Sequence, residues 1–355
     1  MNKKTEAFLE SLLNAIGPSG YEAEPALLWE AEAKTFADSV TRDLHGNTNA
    51  IVNPGGKPRV MFAGHIDEIG FIITHIDDNG FLSFDAIGGW DPQIAQGQRV
   101  KIRGRKGHLT GVIGKKPIHL LDNGARDKVV KLKDMWLDIG AASKKEAQKR
   151  VAVGDPAVLA YSYEKLNKDL AISKAFDNRA GAFVVLEAAR QLSLLDPKAE
   201  IHAVATVQEE IGLRGARTAA HGINPDIGIA VDVTFATDHP SMGDAAKSWN
   251  NCKLGGGPVI TRGPNINPKL FDLLVKTAEE EKIPYQVNAE GRGTGTDANA
   301  LQTSGDGVAA ALISVPNRYM HSPVEMCSLS DLENCARLMA QTVARIKSAD
   351  QFIPF

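Results

Sequence analysis

Residues 201–210 read Ile-His-Ala-Val-Ala-Thr-Val-Gln-Glu-Glu, an apolar run of strand length that ends in two adjacent carboxylates, Glu209 and Glu210. Such a run predicts a strand that is buried on both faces of a parallel sheet. Successive side chains of a strand point to opposite faces, so the two carboxylates should face different ways if the extended backbone continues that far. In open α/β sheets, ligands bind beyond the carboxyl ends of the strands. The pair therefore marks a candidate site, although a Glu-Glu pair in a solvated loop is the ordinary alternative.

Helices and strands alternate on both sides of this run. Apolar periodicity predicts further strands at 49–52, 59–63, 227–232 and 308–315. It predicts helices at 8–16, 22–36, 179–194, from about 213 onwards, and at 268–281, 297–303 and 330–348. This alternation indicates an α/β fold, with a three-layer α/β/α domain around a mostly parallel sheet.

The segment 68–163 has a different pattern. Short apolar runs at 70–74, 80–84, 99–103 and 109–113 are separated by glycines, and only 143–150 has weak helical periodicity. Short strands with frequent turn residues predict a small β-barrel or sandwich. We therefore expect an α/β domain formed by residues 1–67 and 164–355, interrupted by an all-β insertion at 68–163.

Composition excludes several classes of protein. The chain has 355 residues, 43% of them hydrophobic, and 40 basic against 43 acidic residues give a net charge of -3, which does not favour nucleic acid or a membrane surface as partner. Three cysteines are too few for a disulfide framework, and no run reaches the roughly 18 apolar residues of a membrane span. The start of the chain predicts an amphipathic helix rather than a signal peptide. We expect a cytoplasmic protein.

Two further segments carry side chains suited to metal binding. His65 and Asp67 follow the strand at 59–63, where the imidazole could bind a metal with Asp67 orienting it from behind, or the two could share a hydrogen bond without any metal. Asp177 precedes the helix at 179–194, where aspartate is usually a cap. Asn178 could be the cap instead, which would leave Asp177 free to bridge two metals.

Asp232 ends the strand at 227–232, and His321 follows the strand at 308–315. Each of them alone fits an ordinary turn. Together, the five segments bring two histidines, two aspartates and two glutamates to comparable positions, and this is the nitrogen and oxygen ligand set expected for zinc or a similar divalent ion.

The glycine-rich run 291–297 is a weaker signal. It lacks the Lys-Ser/Thr ending of a phosphate-binding loop. Its glycines would either let backbone N–H groups approach a substrate oxygen or simply form a flexible loop. On the first interpretation, Thr294, Thr296 and Asp297 are candidate substrate-binding residues.

At these residues the chain resembles the M42 family of metallo-aminopeptidases, over essentially its whole length. The family includes tetrahedral and glutamyl aminopeptidases, and some relatives are labelled endoglucanases. The resemblance rests on Gly64-His-Ile-Asp-Glu-Ile-Gly70, Phe176-Asp-Asn-Arg-Ala-Gly181, Gln208-Glu-Glu-Ile-Gly212, Val231-Asp232, Gly293-Thr-Gly-Thr-Asp-Ala298 and Tyr319-Met-His-Ser-Pro323.

The resemblance implies a role for each site residue. His65 and Asp232 would hold one metal, Glu210 and His321 the other, and Asp177 would bridge them. Asp67 would support His65, and Glu209 would be the general base. The two ions would be zinc or cobalt, with manganese also compatible with these ligands.

The resemblance also implies a zinc-exopeptidase-like fold, a β-barrel insertion that serves dimerisation, and assembly into tetrahedral dodecamers. The function expected is removal of N-terminal residues from peptides, with two metals activating a water and Glu209 carrying its proton. The alternatives are a metal-dependent deacylase of N-acyl amino acids, a polysaccharide hydrolase, and a noncatalytic assembly scaffold. Glycosidases usually work with two carboxylates and no metal, which argues against the polysaccharide hydrolase.

Overall fold

The computed structural model describes residues 1–240, 242–248 and 250–355. The helices are α1 Lys3–Asn14, α2 Ala23–Ala33, α3 Pro92–Ala95, α4 Asn123–Arg126, α5 Lys144–Arg150, α6 Phe176–Ser193, α7 Arg214–Ile223, α8 Ala245–Ser248, α9 Pro268–Glu280, α10 Asp297–Gln302 and α11 Leu329–Ala344, with 3-10 turns at Ile118–Leu120, Leu132–Asp134 and Ala349–Phe352. The strands are β1 Ser39–Arg42, β2 Thr48–Val52, β3 Arg59–His65, β4 Gly70–Ile76, β5 Leu82–Ile87, β6 Arg99–Gly104, β7 Gly107–Gly114, β8 Trp136–Asp138, β9 Pro156–Leu159, β10 Glu164–Lys165, β11 Leu170–Ser173, β12 Glu200–Thr206, β13 Ile227–Phe235, β14 Val259–Arg262, β15 Gln286–Ala289, β16 Ala309–Asn317 and β17 Glu325–Ser328.

Eight strands form the main sheet in the order β1-β2-β12-β3-β13-β16-β14-β15. The four central strands, β12, β3, β13 and β16, run parallel. They are buried along almost their whole length, which is why their sequences are continuous apolar runs. Because they are parallel, their carboxyl ends lie along one edge of the sheet.

Helices cover both faces of this sheet. The central helix α6 packs on β3, β12 and β13, and α11 packs on α6, while α7 and α10 pack against β3. Trp29 of α2 is fully buried, and its Nε1 donates to the carbonyl of Ala182 in α6 at 2.8 Å. The predicted three-layer α/β/α architecture is confirmed. Within the part of the chain described, no helix is both long enough and apolar enough to cross a membrane.

The predicted insertion is a closed barrel of six strands in the order β4-β5-β8-β7-β6-β9. It has its own apolar core, separate from that of the α/β domain, with Phe71, Ile102 and Leu137 fully buried. The barrel strands run from residue 70 to residue 159, inside the expected limits 68–163.

Six of the strands outside the barrel were not predicted from the sequence. The edge strands β1 and β15, and β14 next to β15, are short and partly polar, so they lack the apolar run that identifies a buried strand. A small three-stranded sheet, β10-β11-β17, lies where the chain leaves the barrel. Its strand β17 begins with Glu325, whose carboxylate accepts hydrogen bonds from two residues of the candidate site.

Two glycines allow the central helix to approach the sheet closely. A Cβ on Gly64 would lie 2.5 Å from the backbone carbonyl carbon of Gly181, and a Cβ on Gly181 would lie 2.7 Å from the carbonyl oxygen of Val231. Real Cβ atoms do not come so near to backbone, so both positions require glycine. The contact brings the end of β3, which carries His65, against the start of α6, which carries Asp177.

Candidate functional site

Six side chains meet at the carboxyl edge of the main sheet. His65 is the last residue of β3, Asp232 lies three residues before the end of β13, and Asp177 stands at the start of α6. The remaining three, Glu209, Glu210 and His321, lie in the turns that follow β12 and β16. All but Glu210 and His321 are buried.

Asp177 lies at the centre of the group. Its Oδ1 is 3.3 Å from Nε2 of His65, and its Oδ2 is 3.1 Å from Nε2 of His321. The main part of α6 starts after it, because Asp177 and Asn178 have non-helical backbone angles and the Asn178 Oδ1 accepts from Gly181 N–H at 2.9 Å. Asn178 thus acts as the cap, as predicted, and the Asp177 carboxylate is left to face both imidazoles.

The other carboxylates divide between the two histidines. Asp232 Oδ1 and Glu209 Oε2 lie 3.8 Å and 3.7 Å from Nε2 of His65, whereas Glu210 Oε1 lies 3.5 Å from Nε2 of His321. Ligand atoms within 4.8 Å of one another occur in two triplets, one of His65, Glu209 and Asp232, and one of His65, Asp177 and Glu210. The single distances pair Asp232 with His65 and Glu210 with His321, as the resemblance implies. The triplets differ from it: Glu209 joins His65 and Asp232, Glu210 is grouped with His65, and His321 belongs to neither.

The expectation that Glu209 and Glu210 alternate along a continuing strand is wrong. Strand β12 ends at Thr206, and Gln208 has a left-handed backbone with φ of +55°. The two carboxylates do face different imidazoles, but their directions are set by the turn at Gln208 and not by the pleat of a strand.

Asp67 supports this turn as well as His65. It is fully buried, and its Oδ1 lies 3.4 Å from Nδ1 of His65. Its two oxygens accept from the backbone N–H groups of Glu209 at 3.1 Å and Glu210 at 3.2 Å, and Oδ2 also accepts from the Ser19 hydroxyl at 2.6 Å. Burial acts to raise the pKa of Asp67, but the hydrogen bond and charge of His65 and the Ser19 hydroxyl hold it below its usual value.

The site has more acidic groups than basic ones. Burial raises the pKa of Glu209, Glu210 and Asp232, and neighbouring carboxylates raise it further. Burial acts to lower the pKa of His65, but the nearby carboxylates, chiefly Glu209, raise it well above its usual range. Buried carboxylates that repel one another and face two imidazoles suit a divalent cation, which would offset their charge. The donor set therefore fits the metals expected from the sequence.

A cavity of about 280 Å³ opens beside these groups. Thr294 and Thr296, two of the candidate substrate-binding residues, line it. Asp297 does not: it is 2% exposed, and its Oδ2 accepts from the Thr206 hydroxyl at 2.5 Å. As the first residue of α10 it lies beneath the cavity wall, so direct contact with substrate is not its role here.

Two groups of buried charges beside the site could not be predicted from the sequence. The Glu325 carboxylate accepts from the backbone N–H groups of Asp177 and His321. Glu68 forms a buried ion-pair cluster with Lys174 and Arg179. Glu325 lies only two residues beyond the stretch that carries the family resemblance, but a carboxylate that binds backbone leaves no motif in the sequence.

Comparison with known proteins agrees with this picture. The model of the family described as M42 glutamyl aminopeptidase matches residues 46–338. A lysyl aminopeptidase of Pyrococcus furiosus is 38% identical over 346 residues, which cover 96% of this chain and 97% of that protein.

Solved structures of related proteins have the same fold. A TET aminopeptidase from a marine sediment Thaumarchaeota archaeon superimposes with a TM-score of 0.92 at 35% identity, covering 98% of both chains. The Pyrococcus horikoshii TET1 peptidase, which can assemble into a tetrahedron or a large octahedral shell, has a TM-score of 0.86 at 32% identity and covers 96% of this chain and 100% of its own. A Thermotoga maritima structure with a TM-score of 0.77 at 28% identity, covering 97% of both chains, is named an endoglucanase. By its family match, its relatives and its fold, the chain belongs to the M42 family of aminopeptidases.

Proposed function

We propose that this protein is a two-metal aminopeptidase in which Asp177 bridges the two ions. Membership of the M42 family makes it a peptidase that acts on the N-termini of peptides. The observation that supports two ions is the position of Asp177, whose two oxygens each lie within 3.3 Å of a different imidazole. A carboxylate that faces one histidine with each oxygen is suited to bind one ion with each of them.

The chemistry divides among the residues of the site. Divalent ions bound here would lower the pKa of a water molecule and polarise the scissile carbonyl. Glu209 takes a proton from the attacking water and delivers it to the leaving amine. One of these ions would also hold the free α-amine of the substrate, which favours cleavage after the first residue. Asp67 holds the His65 imidazole and the backbone of the Glu209–Glu210 turn in fixed positions relative to each other.

Metal removal and a substrate panel test this function. Chelation should abolish hydrolysis of aminoacyl anilides, and zinc, cobalt or manganese should restore it. N-acyl amino acids and cellulose should not be hydrolysed, because neither offers a free α-amine. Hydrolysis of these two substrates alone would favour the deacylase or polysaccharide hydrolase, and wild-type protein that binds metal without any hydrolysis would favour a scaffold.

The cavity also supports a preference for basic N-terminal residues. Thr261, Asn288 and Ser314, buried on the sheet, line it with polar atoms, and Glu290 lines it with a carboxylate. Among the described lining residues, Glu290 is the one charged side chain outside the proposed metal site, and no lysine or arginine is among them. A polar cavity with a single negative charge suits the side chain of lysine or arginine. The related Pyrococcus enzyme named a lysyl aminopeptidase is in keeping with this preference.

Glu290→Gln is expected to lower kcat/KM for lysyl and arginyl anilides about tenfold, corresponding to roughly 1.4 kcal/mol for a charge-assisted hydrogen bond at a partly exposed site. Hydrolysis of the leucyl anilide should change little, and it provides the internal control. Glu290→Lys should shift the preference toward glutamyl substrates. An unchanged lysine-to-leucine ratio in both variants would show that Glu290 does not select the substrate.

Self-association is proposed to occur through the barrel. The Pyrococcus horikoshii relative assembles into closed shells, and one of its structures is a dodecamer. The barrel has an apolar core of its own, so it can provide a contact surface that is separate from the core of the α/β domain. Dimers through residues 68–163, and a tetrahedral dodecamer built from them, are the expected states.

A further inference from the structure

We propose that Glu325 is a positioning residue that holds two metal ligands in place through their backbones. Its carboxylate is 2% exposed. Oε2 accepts from the backbone N–H of Asp177 at 2.9 Å, and Oε1 accepts from the backbone N–H of His321 at 2.9 Å. One side chain thus joins the bridging ligand to the ligand at the other end of the site. The inference depends on the two-metal site proposed above.

The two segments that Glu325 joins are strained. His321 and Tyr319 have left-handed backbones with φ of +59° and +63°, and Ala175, two residues before Asp177, has φ of +61°. Residues other than glycine are strained in this conformation, because Cβ comes too close to the following carbonyl oxygen. Strain of this kind persists only where surrounding contacts maintain it. The Glu325 carboxylate is a contact shared by both segments.

The His321 side chain is less tightly packed than that of His65, so its position depends strongly on the Glu325 contact. The His321 side chain is 35% exposed, whereas that of His65 is 2% exposed. Packing therefore fixes the His321 imidazole only weakly, so its orientation depends on the position of the His321 backbone. Glu325 can supply that orientation because it lies at the start of β17, opposite Ser173 of β11 in the small sheet.

Glu325 has a counterpart on the opposite side of the site. Asp67 accepts from the backbone N–H groups of Glu209 and Glu210, just as Glu325 accepts from those of Asp177 and His321. Two buried carboxylates thus orient four of the six site residues through main-chain hydrogen bonds. Neither belongs to the two triplets of side chains that could hold an ion.

The test is a metal titration of Glu325→Gln. Glutamine has the same shape, but its amide nitrogen cannot accept a hydrogen bond, so one of the two N–H groups loses its partner. Titrating the apoprotein with cobalt or zinc, followed by calorimetry or cobalt absorption, should show the site of Glu210 and His321 weakened at least tenfold. The site of His65 and Asp232 should be weakened by a smaller factor, because Asp177 bridges both sites. Activity should recover at high metal concentration, because the catalytic groups are intact.

Asp331→Asn is the matched control. Asp331 is a fully buried carboxylate that accepts from the backbone N–H groups of Gly255 and Gly257, both at 2.8 Å, in a different part of the fold. The variant should lose thermal stability as Glu325→Gln does but keep both metal affinities. A merely structural Glu325 would make the two variants behave alike.

The outcomes separate this inference from the proposed function. If the wild type does not bind two ions, the proposed function fails. If the wild type binds two and Glu325→Gln binds both within twofold of wild type, only the positioning role fails. Should Glu325→Gln not fold, Glu325→Asp keeps the charge and is expected to weaken the same site by a smaller factor, and wild-type affinity at both sites in that variant would equally overturn the proposal.

Discussion

Replacing Glu209 with glutamine is expected to lower kcat by about 10²- to 10⁴-fold, the usual contribution of a positioned general base, while the protein keeps both metal ions. Glutamine cannot take a proton from the attacking water, but it preserves the size of the side chain. KM should change little, since Glu209 is proposed to act on the water rather than to bind the substrate. The measurements are steady-state kinetics on aminoacyl anilides and metal content by mass spectrometry.

The structure makes this experiment more informative than the resemblance alone would. Glu209 Oε2 lies 3.7 Å from Nε2 of His65, which would also suit a third ligand beside His65 and Asp232. If it were a ligand, Glu209→Gln would lose metal together with activity. Glu210→Gln is the comparison, because Glu210 is proposed to be a ligand beside His321. Loss of metal in both variants would contradict the general-base role.

Glu68→Gln is expected to lower the free energy of unfolding by about 3–5 kcal/mol, because it leaves buried cations without their counter-ion. Glu68 accepts from Lys174 Nζ through both oxygens at 2.9 Å and from Arg179 at 2.7 Å. Arg179 is fully buried and also donates to the carbonyls of Leu12 and Ala15 at the end of α1. Denaturation in guanidinium chloride, monitored by circular dichroism, measures the change.

Lys174→Met is the control for this cluster. Glu68 still pairs with Arg179 in that variant, so the loss of stability should be far smaller. A comparable loss in both variants would show that the effect comes from packing and not from the unpaired charge.

The stability difference between the wild type and Lys174→Met is expected to depend on pH. Burial, together with the charge of Arg179, lowers the pKa of Lys174 to about 8 from its usual 10.5. Between these values the folded protein has released the proton while the unfolded chain still holds it, so the stability of the wild type should rise with pH relative to Lys174→Met. Below about pH 8 and above about pH 10.5 the difference should be constant. A difference that does not vary between these pH values would contradict the lowered pKa.

Much of the fold could be predicted from the sequence because the central strands are buried on both faces. The strand expected at 59–63 is Arg59–His65, and that expected at 227–232 is Ile227–Phe235. The site residues could be proposed for the same reason, since parallel strands deliver their following residues to one edge. Thus the sequence alone identifies His65, Asp232 and Glu209 as candidate site residues.

What could not be predicted depends on contacts that have no sequence pattern. The left-handed Gln208, which redirects Glu209 and Glu210, is not a residue type that signals a turn. Glu325 binds backbone N–H groups, which every residue but proline has. The placement of Asp297 under the cavity rather than in it depends on its hydrogen bond with Thr206, a residue 91 positions away in the chain. Such relations appear only when distant segments are brought together.

The Glu68–Lys174 ion pair also explains how a whole domain can interrupt the catalytic one. Glu68 is the first residue of the expected insertion, and Lys174 follows β11, on the chain's return to α6. Their contact holds the segment that enters the barrel beside the segment that leads from the barrel into α6. The barrel thus occupies a position that a short loop could otherwise fill. The free-energy cost of closing a loop grows only slowly with loop length, and the ion pair between the two ends of the insertion offsets part of this cost. The barrel can therefore be inserted between these two segments without interrupting the strand order of the main sheet.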